Sequence, residues 1–86
     1  MALSVKYARH LQRVLKDEQA TKVRILLPDH NYISATEIVD VDEVTNEMVC
    51  TGSLFVYCGS GRFEPQEGTH YVSLEQIRSA NHDGKQ

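Results

Sequence analysis

Four cations stand at a spacing that could do chemistry. Lys6, Arg9, Arg13 and Lys16 recur at i, i+3, i+7 and i+10. At about 100° per residue, that spacing puts them in one narrow stripe on a helix. Such a stripe can bind phosphates, because arginine forks match phosphate oxygens and charge on one face adds up along a polyanion. The plain alternative is a solvated outer face. The charge distribution speaks for the first reading. Residues 1–24 carry six basic side chains against two acidic ones, while residues 25–86 carry three against ten. The formal net charge of −3 hides this polarity. It also argues against a chain that coats nucleic acid by bulk charge.

The remaining reactive residues offer less. The acidic run Asp40, Asp42, Glu43 and Glu47 does not match a calcium loop. Val44 breaks the ligand series, no glycine follows, and Thr51 stands where the closing glutamate belongs. Asp42 and Asn46 favour a turn, since their side chains bond the local backbone. Cys50, Cys58 and His70 have no zinc-ligand spacing, so both cysteines are expected as free thiols packed like small apolar residues and no metal is expected. His10, His30, His70 and His82 are scattered, and no nucleophile–base set can be assembled. The expectation is a protein that is not an enzyme and needs no cofactor. Gly59, Ser60, Gly61 and Arg62 form a glycine-rich segment without the Lys-Ser/Thr ending that cradles phosphate. A hairpin tip is the better reading there, with Arg62 and Phe63 placed to touch a neighbour or a ligand.

The cationic stripe needs a helix beneath it, and the pattern supplies one over about residues 4–18. Leu3, Tyr7, Leu11, Val14 and Leu15 share the opposite face, and Ser4 is a plausible cap. The period then changes from helical to two. Val23, Ile25 and Leu27 alternate with Lys22, Arg24 and Leu26, which predicts a strand. Residues 28–31 read as a turn and residues 32–42 as a second strand, with a bend near Thr36 and Glu37 where the apolar parity shifts. Residues 42–46 read as another turn. A third strand follows over residues 47–58, cornered at Gly52. Residues 59–68 read as the longest loop, kept out of a central strand by Pro65. A fourth strand is expected at 69–74 and a fifth at 76–80, after a very tight turn at 73–75. Residues 81–86 form a polar tail.

One helix and five short strands predict an α+β chain, mainly β, folded as a single domain over residues 1–80 with the barrel at about 21–80. With 86 residues, 41% of them hydrophobic, the chain can build one small core. No apolar run is long enough to span a membrane. Met1 to Lys6 lacks the order of an export signal, so a cytoplasmic protein is expected. Five strands close poorly, and open edges invite pairing with another copy.

Order and spacing over residues 7–80 resemble the Sm-like family, which includes the Sm and LSm proteins and the bacterial RNA chaperone Hfq. Ile38, Val41, Asp42, Asn46 and Met48 fill the places of the first Sm motif. Residues 71–77, Tyr-Val-Ser-Leu-Glu-Gln-Ile, look like the second. The resemblance implies a strongly bent five-stranded SH3-like barrel of the Sm type. It also implies a ring of identical subunits joined through the fourth and fifth strands, and binding of single-stranded RNA as a scaffold or chaperone. Asp42 and Asn46 would then belong to the RNA pocket. In one alignment Ser73 and Leu74 stand at the second motif's RNA-contacting pair, and in another His70 does. The departures are specific. Thr36 replaces the glycine of the bent second strand, and Val44 replaces the aromatic or histidine on which a base stacks. RNA contact therefore shifts to Lys6, Arg9, Arg13 and Lys16 on the helix. The competing expectation is a homo-oligomeric adaptor that has lost RNA and holds proteins.

Overall fold

Ser4 starts the helix as its residue type requires: the hydroxyl accepts the Tyr7 N–H at 3.1 Å. Helix α1 (Val5–Lys16) follows in the computed structural model, which describes residues 3–82. Ala8, Leu11, Val14 and Leu15 form its buried face. Tyr7, expected on that face, is 39% exposed, and Ala8 is buried in its place. The Tyr7 hydroxyl reaches the Ala80 carbonyl at 3.4 Å, so an amphipathic ring lies along the rim of the core. Asp17 ends the helix, and Glu18 turns left-handed behind it with φ 58°.

Five strands follow: β1 (Val23–Leu26), β2 (Tyr32–Asp42), β3 (Glu47–Gly59), β4 (Arg62–Ser73) and β5 (Ser79–His82). They make one antiparallel sheet in the order β4-β3-β2-β1-β5. The architecture is α+β and mostly β. Strands β4 and β5 are the two edges, and the sheet is not closed between them among the described residues. Val23 and Ile25 of β1 face inward while Arg24 and Leu26 face out, as alternation demands.

Strand β2 bends where its parity slips. The register shifts between Ala35 and Glu37, at the expected place, and again between Ile38 and Asp40. Gly52 sits opposite Ala35 at the first shift. Its φ is +149°, and a Cβ there would lie 2.9 Å from the Ala35 Cα and collide with the Ser34 carbonyl oxygen. Only glycine lets β2 and β3 approach this closely.

Two expectations need correction. Residues 59–68 are not a loop. Ser60 and Gly61, with φ of 54° and 73°, make a two-residue turn, and β4 begins at Arg62. Pro65 pairs with Phe55 inside β4. A proline is tolerated there because β4 is an edge strand, paired on one side only. The fifth strand is not residues 76–80. A 3-10 turn occupies Leu74–Gln76, and β5 begins at Ser79. Asn81 and His82, assigned to the tail, belong to β5, while residues 83–86 lie outside the described residues.

The core lies between α1 and the inner sheet face. Leu11, Ile25, Ile33, Met48, Leu74 and Ile77 are its largest fully buried side chains. Cys50 is buried with them and Cys58 is exposed, both as free thiols.

Candidate nucleic-acid interface

Helix α1 lies across the bend of β2. The Gln12 amide donates to the carbonyls of Ile38 and Val39, at 3.0 and 3.2 Å, which fixes the rotation of the helix on the sheet. With Leu11, Val14 and Leu15 turned inward, Lys6, Arg9, Arg13 and Lys16 are all exposed. The stripe divides into two settings. Lys6, Tyr7, His10 and Arg13 border a shallow hollow with Ser4, and among the described residues no carboxylate lines it. The Tyr7 and His10 rings stack across it, with centroids 5.9 Å apart. Lys16 faces a different hollow that it shares with Glu18 and Glu37. Lys6 and Arg13 thus share a hollow away from carboxylates, whereas Lys16 stands among them.

Asp42 and Asn46 serve the turn between β2 and β3. Asp42 Oδ1 accepts the backbone N–H groups of Val44 at 2.9 Å and Thr45 at 3.3 Å. These bonds, Val44 first, hold the carboxyl below its ordinary range. Asn46 takes a left-handed φ of 59°, which asparagine tolerates. Its carbonyl accepts the Leu74 N–H at 2.9 Å, and the Leu74 carbonyl accepts the Leu3 N–H at 3.0 Å. The β2–β3 turn, the Leu74 turn and the start of α1 are thus stitched together, which brings Asn46 to the N-terminal end of the stripe. Val44 projects from the turn, 90% exposed.

His70 is elsewhere. It stands on β4 opposite Cys50, with Nε2 3.3 Å from the Gly52 carbonyl oxygen. It lines a cavity of about 470 Å³ with Asp29, Asn31, Tyr71 and Gln76, between edge strand β4 and the turn that follows β1. Neither the stripe nor Asn46 borders this space. The structure brings Asn46 and Lys6 to one end and leaves His70 apart.

A second cationic site escaped the sequence. Arg24, facing outward on β1, lies over the Tyr32 ring with its guanidinium carbon 4.4 Å from the centroid. The other partners of Tyr32 are Phe55, stacked at 4.8 Å, and Phe63, edge-on at 5.4 Å. Tyr57 leans on Phe63 at 5.3 Å, and His30 on Tyr57 at 5.1 Å. Cross-strand pairing creates the group: Leu26 opposes Tyr32, and Tyr32 opposes Phe55. The available signal was outward parity, which Arg24, Leu26, Tyr32 and Phe55 share once the register is known.

Among the described residues, no three His, Cys, Asp or Glu side chains group to hold a metal ion. No helix among them is long and apolar enough to cross a membrane. No family model, curated protein or solved structure matches the chain.

Proposed function

We propose that the chain is a non-catalytic, ring-forming RNA-binding protein of the Sm-like kind, working in the cytoplasm as an RNA scaffold or chaperone. The observation that carries this reading is the strand order, which leaves β4 and β5 as the two one-sided strands of a strongly bent sheet. In a ring, β4 of one subunit pairs with β5 of the next, and the bent sheet becomes an SH3-like barrel of the Sm type. Tyr71, 73% exposed on β4, gains cover in that arrangement. Copies of the stripe repeat around the ring, so weak phosphate contacts by Lys6, Arg9 and Arg13 multiply. Asn46 adds a polar contact at the same end, while Asp42 is occupied by its own turn. His70 lies at the subunit seam rather than on RNA.

The test is solution mass by light scattering, alone and with a short U-rich or A-rich RNA. The expected result is a discrete mass of several chains that gains RNA at low salt and loses it as salt rises. A strictly monomeric protein at high concentration ends the ring. An Arg9→Gln/Arg13→Gln chain is expected to lose the RNA, and unchanged affinity overturns the helix assignment. One observation favours a protein-holding adaptor instead: the nearly bare Val44 at the turn tip, an apolar side chain without a ring to stack on a base. Capture of a defined protein without RNA affinity would select that reading.

A further inference from the structure

We propose that the hollow between Arg24 and Arg78, on the outer sheet face, is a docking site for a protein partner. The partner offers an extended acidic segment, with a bulky apolar side chain between two carboxylates. The surface is separate from the RNA reading, since among the described residues no member of α1 borders it.

The hollow measures about 370 Å³. Arg24 and Arg78 line it together with Leu26, Leu27, Tyr32 and Phe63. Among the described residues no carboxylate does. In a chain with twelve acidic residues, two arginines beside one apolar hollow without an acid are a local exception. Leu26 is 36% exposed and Phe63 40%, so apolar surface is left for a partner to cover.

The sheet fixes the spacing of the two cations. Arg24 pairs with Asn81 across β1 and β5. Arg78 lies at the start of the same segment, where its backbone N–H donates to the Leu26 carbonyl at 2.8 Å. From position 78 to position 81, at about 3.3 Å per residue, the two arginine backbones stand roughly 10 Å apart along the strands. Leu26 lies between them. An extended peptide turns every second side chain to one side, in steps of about 6.6 Å. A Glu-x-Leu-x-Glu segment therefore lays its leucine over Leu26 and Phe63 and sends one carboxylate toward each arginine.

The Arg24 guanidinium lies over the Tyr32 ring, 4.4 Å from its centroid, so its fork is ordered before a partner arrives. That fork matches a carboxylate with two parallel hydrogen bonds. Asn31 also borders the hollow, and its Oδ1 accepts the Tyr57 N–H at 2.9 Å. Its NH₂ is left to donate to a peptide carbonyl. The rings favour a peptide over a nucleic acid. Both faces of Tyr32 are covered, by Arg24 and Phe55, and Phe63 is engaged with Tyr32 and Tyr57. A base finds no open tyrosine face on which to stack, whereas an aliphatic side chain needs only apolar edges.

The test titrates the full chain with a fluorescein-labelled peptide, Ser-Glu-Thr-Leu-Thr-Glu-Ser. Saturable binding is expected, and it should weaken about ten-fold when both glutamates become glutamine or the leucine becomes serine. Arg24→Gln/Arg78→Gln is expected to weaken it by a similar factor. Arg9→Gln/Arg13→Gln should bind the peptide like the parent, which keeps this surface distinct from the helix stripe. Amide shifts of the isotope-labelled parent, which carries no substitution that could unfold it, are expected to move at residues 24–32, 63 and 78. Shifts confined to residues 5–16, a glutamine peptide that binds as tightly, or an Arg24→Gln/Arg78→Gln chain that binds like the parent overturns the proposal. So does the absence of saturable binding. Octaadenylate that moves these amides where the peptide moves none assigns the face to nucleic acid and overturns it as well.

Discussion

The hairpin of β3 and β4 is one continuous ladder with two unlike halves. In the half nearer the β2–β3 turn, Met48, Cys50 and Val72 are buried in the core beneath α1. In the far half, Phe55, Tyr57 and Phe63 have no core under them and are held by ring contacts with Tyr32 and His30. The same backbone pairing thus rests on apolar burial at one end and on aromatic stacking at the other. Burial secures the fold, and the stacked end is left as surface on which Arg24 can be presented.

Gly52 stands between the halves, and the largest effect is expected there. Gly52→Ala drives a methyl group into the Ser34 carbonyl oxygen while holding a φ that alanine avoids. A cost of about 4–5 kcal/mol is expected, strained φ and steric collision together, at the exceptional end of single substitutions and comparable to the stability of a small domain. Little folded protein should be recovered, and a urea midpoint near the parent's would show that the halves are not joined through this contact. The next comparison sets one half against the other. Met48→Ala opens a cavity in the core and is expected to cost about 3 kcal/mol. Phe63→Ala removes a partly exposed ring and is expected to cost about 1 kcal/mol. Equal losses in urea unfolding would erase the distinction.

The same division decides what could be read from the sequence. The helix, its Ser4 cap and its cationic stripe were legible because they obey a period within one element. The first three strands and the bend at Thr36 were legible because one face of each meets the core and leaves alternation behind. The far half of the hairpin was not. Residues 59–68 have two glycines near one end, a third at the other and a proline between, and with no core beneath them they show no alternation. Composition alone made them a loop. The Arg24 ridge was hidden for a related reason. Its members come from four strands, and only the register puts them side by side. Asp42 and Asn46 were legible as turn formers: the Asp42 carboxylate bonds the turn backbone, while Asn46 serves through its left-handed φ.

The two cysteines, one in each half, sharpen the comparison. Burial pushes the Cys50 thiol up to about 11. The exposed Cys58 is also raised, chiefly by its hydrogen bond to Glu64, with Sγ 3.4 Å from the carboxylate. Iodoacetamide is expected to label Cys58 slowly in the native chain and Cys50 only after unfolding. Linkage adds a pH signature. A thiol whose folded value is raised favours the folded state fully below its unfolded value, near pH 8.5–9, and loses that contribution as pH climbs through about 11. Thermal midpoints of the parent should therefore fall more between those values than midpoints of Cys50→Ala. Parallel curves would mean that Cys50 ionises as easily folded as unfolded.

The smallest effect is expected at the two turns that end the hairpin's strands. The Ser60–Gly61 turn relies on backbone conformation and has no charge to titrate. The β2–β3 turn relies on the Asp42 carboxylate, which two backbone N–H groups hold below the usual carboxylate range. A lowered folded value gives the opposite sign to Cys50. The contribution is present above the unfolded value, near pH 4, and disappears as pH falls through the folded one. Asp42 is exposed, so solvent screens the effect and the gain is small. Asp42→Asn keeps an acceptor oxygen but removes the charge. Its urea midpoint should lie slightly below the parent's at pH 6, and the gap should close as the parent's own carboxylate takes up its proton. A gap that persists unchanged to pH 2 would assign the turn's stability to acceptor geometry alone, making both turns of the hairpin conformational devices.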